Sequence, residues 1–197
     1  ESFGFEKNRL MHVFLYASMT VELDAAAQKT LGGSPRWGVT PSDPMGTTMR
    51  RIDTGLGGNR IITRTCASFL PGMEASEAAL RRAAAVHARK FADRFPALAG
   101  VRQEYTWAGH LCLARNGTSI ASELEPGLYA ASVCNGLGTA RSTLTGMAAA
   151  ELAMGQATDA TRHFAAEAQP VKLPPKPFST LGANLFLRWK EWRAGAE

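Results

Sequence analysis

The chain has 197 residues, 22 Lys+Arg against 17 Asp+Glu, a formal net charge of +5 and 45% hydrophobic residues. That apolar share with so modest a charge excludes a disordered chain, and no run approaches the roughly 20 apolar residues of a membrane-spanning helix. Three widely spaced cysteines, Cys66, Cys112 and Cys134, are too few for a disulfide scaffold and read as reduced, buried thiols of a cytoplasmic protein.

Residues 10–22 are rich in β-branched and aromatic side chains and predict a strand. Leu23–Leu31 predicts a short helix stopped by Gly32-Gly33-Ser34-Pro35, and residues 34–46, with Pro35, Pro41 and Pro44, predict a loop. Thr47–Asp53 and Arg60–Ala67 flank the turn sequence Thr54-Gly55-Leu56-Gly57-Gly58-Asn59 and predict a β-hairpin. Glu74–Phe95 is the clearest helix, with Leu80, Ala84, Ala88, Phe91 and Phe95 on one apolar face. Glu74 and Glu77 in its first turn and Arg94 near its end suit the helix dipole, and Pro96 closes it. Its basic residues alternate with acidic ones, so the stretch reads as a solvated face and not as a nucleic-acid site.

Residues 101–114 predict another strand, and Asn116-Gly117 a turn. Leu128–Val133 predicts a short buried strand leading into Asn135-Gly136-Leu137-Gly138. The Ala-rich stretch Thr139–Met154 predicts a helix ended by Gly155. Residues 155–180, with Pro170, Pro174, Pro175 and Pro177, read as an extended arm. Leu181–Arg193, with Trp189 and Trp192, reads as a short docked helix. The order of elements indicates an α+β chain: a mixed sheet with flanking helices, followed by a strand–turn–helix.

No H-E-x-x-H, Walker loop, G-x-S-x-G or paired Cys/His metal spacing occurs, so no metal site is expected. The four histidines at 12, 87, 110 and 163 are scattered and read as structural or surface residues. The sharpest feature is the turn at 135–139. A strand enters a glycine turn that opens into a helix, whose first free N–H groups and dipole favour negative charge. Gly136 and Gly138 would let a ligand approach the backbone closely. An ordinary β–turn–α connection has the same pattern, and Arg141 occupies the third glycine position of a dinucleotide fingerprint.

Leu128–Gly155 resembles the C-terminal flavin segment of the FAD-dependent D-amino acid oxidase/glycine oxidase superfamily, in its strand, its small-residue-Gly-x-Gly turn and its helix ended by glycine. Trp107-Ala108-Gly109 followed by Arg115, the hairpin Met49-Arg50-Arg51-Ile52-Asp53 to Asn59-Arg60-Ile61-Ile62, and the stretch from Pro174-Pro175-Lys176-Pro177 to Trp192 are similar to γ-glutamylputrescine oxidoreductase-like members. The likeness spans nearly the whole chain but only the C-terminal half of such a member. The family opens with a nucleotide-binding βαβ unit that holds the ADP half of FAD. No such unit is found here, so the expectation is a fragment, inactive and without FAD on its own.

What the resemblance implies divides the chain into a substrate-binding domain (1–105), the last segment of an FAD-binding domain (106–155) and an arm with a C-terminal helix (156–197). It implies oxidation of the C–N bond of an amine or amino acid by hydride transfer to FAD N5. Cofactor-binding residues would be Asn135, Gly136, Leu137, Gly138 and Thr139, and Met49, Arg51, Trp107 and His110 would face substrate. Arg51 reads equally as an exposed strand arginine. The resemblance names no catalytic acid or base. Cys112 is offset from the position of covalent attachment in the family, so FAD is expected to be non-covalent. Leu137 replaces a common histidine and Ala108 a common glycine, which leaves the substrate open. Faces uncovered by a missing domain are expected to self-associate. The alternatives are a basic α+β interaction module and a subunit of a hetero-oligomeric oxidase.

Overall fold

The computed structural model describes residues 1–195. The chain is α+β. Its strands are β1 (Leu10–Thr20), β2 (Trp37–Val39), β3 (Thr48–Ile52), β4 (Arg60–Phe69), β5 (Gln103–Ala114), β6 (Ile120–Glu125) and β7 (Leu128–Ser132). Its α-helices are α1 (Ala25–Leu31), α2 (Glu77–Arg94), α3 (Thr143–Ala153), α4 (Asp159–Ala166) and α5 (Phe178–Ala194). Five strands form a sheet in the order β2-β3-β4-β1-β5, and β6 and β7 form a second, two-stranded sheet. The residues fall into two compact units, one of Glu1–Val13 with His110–Gly182, the other of Phe14–Gly109 with Ala183 onward.

In the larger unit β3 and β4 form the expected antiparallel hairpin, with Met49 opposite Thr63 and Arg51 opposite Ile61. The loop expected over 34–46 contributes one short strand, β2, pairing Trp37 with Arg51. Helix α2 starts later than expected. The Ser76 hydroxyl caps it by accepting from the Ala79 N–H, which leaves Glu74 outside the first turn. Its buried face also differs. Ala83, His87 and Phe91, spaced four apart, point inward, while Ala88 is exposed. A histidine in place of an apolar residue on that face hid the true phase of the helix.

His87 is fully buried, and both of its ring nitrogens have partners. Its Nδ1 lies 2.6 Å from the Ser18 hydroxyl, which in turn lies 2.9 Å from the Thr106 hydroxyl. Its Nε2 lies 3.1 Å from the Thr65 carbonyl. Nε2 also lies 3.3 Å from the Thr65 N–H, so either tautomer completes the string: with Nε2–H donating to the Thr65 carbonyl, Ser18 donates to Nδ1 and Thr106 to Ser18, and in the other tautomer each direction reverses. Phe14, Tyr16, Cys66 and Ala83 pack on one side of this string, and Leu23, Ile61, Phe91 and Leu98 on the other. Full burial of Phe91 contributes about 2–3 kcal/mol.

Strand β4 carries a kink. Cys66 sits at φ +67°, left-handed backbone that an L-residue rarely adopts. Beyond it β3 has ended, and α5 takes over the bare strand edge. Asn184 accepts from the Phe69 N–H and donates to the Phe69 carbonyl, each at 3.0 Å, and Glu191 accepts from the Ala67 N–H at 2.9 Å.

In the smaller unit the hairpin β6–β7 pairs Ala121 with Ala131, and Ala121, Ala148 of α3 and Phe164 of α4 form its core. Strand β6 and helix α4 are additions to the sequence reading. Helix α4 is closed by a reciprocal capping box between Thr158 and Thr161. The arm is not a free linker, because the Leu173 N–H donates to the Asn8 carbonyl at 2.6 Å and Arg9 donates to the Pro170 carbonyl. The C-terminal helix has 17 residues and is not short.

Burial holds the His87 imidazole neutral, pulling its pKa below the ordinary value against the upward pull of the Thr65 carbonyl and Glu191. The unfolded chain takes a proton near pH ~6.5 and the buried ring only at lower pH. Folding stability is therefore expected to be full above that pH and to fall as pH drops below it. Thermal melts from pH 7.5 to 5 are expected to show His87→Gln less stable at the top of the range, with a shallower decline than the parent.

Candidate functional site

The turn after β7 is built from left-handed backbone: Val133 at φ +68°, Asn135 at +49° and Gly136 at +81°. Asparagine tolerates this region, and glycine enters it without penalty. The Asn135 side chain then clamps the turn. Its Oδ1 accepts from the Ala114 N–H at 2.8 Å. Its Nδ2 donates to the carbonyls of Gly117 (2.9 Å), Thr118 (2.7 Å) and Val133 (3.3 Å). The amide is thus spent on the backbone, and what the turn offers outward is the segment Gly136–Thr139.

That segment does not begin a regular α-helix. Gly138–Ser142 forms one π turn, and α3 follows from Thr143. The wider turn still leads with N–H groups that have no carbonyl one turn behind them. Leu137 is 64% exposed, and Gly136, Thr139 and Ala140 are exposed too. A Cβ built at Gly136 or Gly138 would meet no atom within 4 Å. Bare backbone donors with open space over two glycines fit the anionic edge of a flavin, so the residues present suit the cofactor that the sequence implies.

Arg141 is not available to a ligand phosphate. It donates to the Ser119 hydroxyl and, at 2.8 Å, to Glu167. The other oxygen of Glu167 accepts from the Ser119 N–H at 2.6 Å and the Thr118 hydroxyl at 2.8 Å. Burial pulls the Glu167 pKa up, but the Ser119 N–H, Thr118 hydroxyl, Arg141 and His163 outweigh it and hold the carboxyl below its ordinary value. This network and the Asn135 clamp fix the turn from opposite ends.

The residues expected to face substrate lie apart. Met49 and Arg51 alternate on β3 and point to the side covered by α1 and α2. Met49 lines a cavity of about 250 Å³ with Thr47, Lys90, Asp93 and Arg94. Arg51 is only 5% exposed, and its Nη1 donates to the carbonyls of Gly32 (2.7 Å) and Ser34 (3.1 Å). Trp107 lies on β5, at the far edge of the sheet and three strand spacings away, about 14 Å. It is 41% exposed and shares the uncovered face with Tyr105, because Thr106 and Ala108 point to the helix side. His110 is exposed, belongs to the smaller unit, and sits three residues further along β5.

The uncovered face holds a residue that sequence reading missed. By alternation Ile62 and Arg64 of β4 lie there with Leu15, Ala17 and Met19 of β1. Arg64 is partly buried, donates to the Thr48 hydroxyl at 2.7 Å, and makes no ion pair among the described residues. Burial lowers its pKa. A desolvated guanidinium without a carboxylate suits an incoming anion. The adjacent Ile61 and Ile62 blur the alternation of this strand, so its faces are not legible in the sequence. Among the described residues no cluster of His, Cys, Asp and Glu could hold a metal, and no helix is long and apolar enough to cross a membrane.

No protein-family model and no curated protein matches the chain. Several solved structures share its fold over part of their own length, among them the following two. Glycine oxidase from Geobacillus kaustophilus is 17% identical, with a TM-score of 0.57 over 78% of this chain and 37% of its own. L-amino acid deaminase from Proteus vulgaris, with its specific insertion sequence deleted, is 19% identical, with a TM-score of 0.50 over 88% of this chain and 37% of its own. The chain thus spans little more than a third of the length of each.

The clamp and the carboxylate network have separate signatures. Asn135→Asp is expected to destabilise the fold by about 2–4 kcal/mol in urea melts, because it sets an anion against three carbonyls. Glu167, depressed in the folded state, stabilises above the unfolded-chain value of ~4.3, and that contribution fades as pH falls through the native value. The stability gap between parent and Glu167→Gln is therefore expected to be widest near neutrality and to close below pH ~4.

Proposed function

We propose that this chain is the substrate-binding part and last flavin-binding segment of a longer FAD-dependent oxidoreductase that oxidises the C–N bond of an amine or amino acid. The observation that carries the reading is the glycine turn Gly136–Thr139. Asn135 holds it open ahead of α3, in a fold shared with two structures named for amino-acid oxidation and deamination. The chain spans 37% of each, which supports a longer parent. Bound FAD would supply the acceptor for a hydride equivalent from the carbon that bears the nitrogen.

The chain's own residues act by position and charge. The backbone N–H groups of Gly136, Gly138 and Thr139 stabilise negative charge on the cofactor edge, the Leu137 N–H being donated to the Cys134 carbonyl. Arg64 holds the substrate carboxylate on the uncovered face, with Trp107 against the substrate body. Met49 and Arg51 act from the covered side by fixing the shape of the hairpin, and His110 lies beyond Trp107 on the same strand. No side-chain base is assigned. The Cys112 thiol is partly buried, and burial with the neighbouring Cys134 pushes its pKa up. A thiol kept protonated is a poor nucleophile, which supports non-covalent FAD. Trp107-Ala108-Gly109 followed by Arg115, together with the proline arm, favours the γ-glutamylputrescine oxidoreductase-like subgroup. A cytoplasmic location fits the three free thiols.

The test is flavin content. Expressed with the residues that precede Glu1 in its reading frame, the protein is expected to purify with a flavin spectrum, and the 197-residue chain alone to be colourless. Gly138→Val is expected to strip FAD from the longer protein; full retention would overturn the assignment of the turn. Arg64→Met is expected to raise KM for an amino-acid substrate at least tenfold with a smaller change in kcat.

A further inference from the structure

The hairpin β3–β4 turns a second arginine to the uncovered face. Met49 and Arg51 are buried on the helix side, so Arg50 between them points the other way, and it is exposed. The stretch Met49-Arg50-Arg51 thus presents Arg50, and not Arg51, on the face that carries Arg64. Arg50 stands opposite Ile62, and Arg64 opposite Thr48. The two arginines are therefore diagonal neighbours on adjacent strands, roughly 7–8 Å apart at the backbone. Ile62 is next to both. On its other side Arg50 stands opposite Gly38 of β2, which has no side chain to lie over it. A Cβ built at Gly38 would meet no atom within 4 Å, so the space beside Arg50 is open.

Neither guanidinium has a carboxylate among the described residues. The acids near the hairpin are committed to other arginines. Asp53 accepts from Arg36 Nε at 2.6 Å and from its Nη2 at 3.1 Å, and Glu104 of β5 pairs with Arg60. Glu191, the acid of α5, is held by Arg82 of α2 on the opposite side of the sheet. Two like charges on one face repel, and one bound carboxylate would compensate only one of them. Arginine forks match the planar geometry of carboxylates.

The two arginines also differ in kind. Arg64 is partly buried and braced on the Thr48 hydroxyl at 2.7 Å, which suits a fixed anchor. Arg50 is exposed and makes no hydrogen bond, so its long side chain can fold over a molecule that Arg64 already holds. A substrate with a carboxylate at each end would compensate both charges, with its carbon chain laid over Ile62.

We infer that Arg50 determines specificity on this face by selecting an acidic amino acid. Arg64 takes the carboxylate beside the nitrogen-bearing carbon, and Arg50 takes the carboxylate at the far end. This deepens the proposed function and rests on its placement of substrate against Arg64. The flavin-loaded longer protein tests it, with racemic glutamate and glutamine as substrates and with glutarate and pentanoate as unreactive ligands. Glutamate is expected to show a kcat/KM at least tenfold above that of glutamine. Glutarate is expected to bind at least tenfold tighter than pentanoate in calorimetric titration. Arg50→Gln is expected to raise KM for glutamate at least tenfold, to cut the preference over glutamine below twofold, and to bring glutarate to the level of pentanoate. Oxidation of glutamine as efficiently as glutamate, or equal affinity of glutarate for the parent and Arg50→Gln, overturns the inference and leaves the flavin reading standing. Absence of bound flavin overturns the flavin reading, and the inference with it.

Discussion

The larger unit depends on one string of buried hydrogen bonds, from Thr106 through Ser18 and His87 to Thr65. Its four members come from β5, β1, α2 and β4, so a single line of donors and acceptors fixes a helix and three strands in one register. Ser18, His87 and Thr65 are buried and have no water to fall back on. Loss of any member strands a buried polar atom at about 1–3 kcal/mol, and the cost rises where neighbours polarise one another. Apolar packing alone would let α2 slide along its groove by part of a turn. The string permits one position.

That position commits the two faces of the sheet to different roles. Once His87 draws α2 down, Met49, Arg51, Ile61 and Phe91 are enclosed on one side. Leu15, Met19, Ile62, Arg64 and Trp107 are left on the other with only partial cover. An arginine without a carboxylate beside aliphatic and aromatic side chains is a costly surface to keep for stability alone. In the smaller unit the exposed Gly136–Thr139 turn is a comparable investment. Asn135 and the Arg141–Glu167 network spend many polar groups to hold bare backbone outward.

Strong local signals made much of this legible in the sequence. The hairpin was announced by its glycine-rich turn, α2 by its length and the order of Glu74 and Glu77 before Arg94, and the Gly136 turn by its place between an apolar strand and an alanine-rich helix. Long-range partnership was not legible. His87 reads as a polar interruption until Ser18, 69 positions away, is known to face it. Strand β6 is disguised by Glu123 and Glu125, which a two-stranded sheet can leave in water. Helix α4 hides in a short polar stretch where only the Thr158–Thr161 box marks its start. The pairing of α2 with α5 was invisible for a related reason. Along the chain Arg82, Arg89 and Lys90 look like a solvated helix face, and only the return of α5, about a hundred residues later, turns that face into a wall.

The Asn135 clamp also sets how the protein ages. Asparagine is among the thermolabile residues, and Asn135 is followed by glycine, which leaves its side chain least shielded from the next backbone nitrogen. Here the two amide hydrogens are shared among three carbonyls, so the fold itself holds the group away from that reaction. Hydrolysis would replace the donor with an anionic oxygen at the convergence of three carbonyl dipoles. Chemical damage at this one side chain would then release the turn at both its strand ends, and it would register as an added negative charge on the peptide spanning Cys134–Arg141 in stored protein.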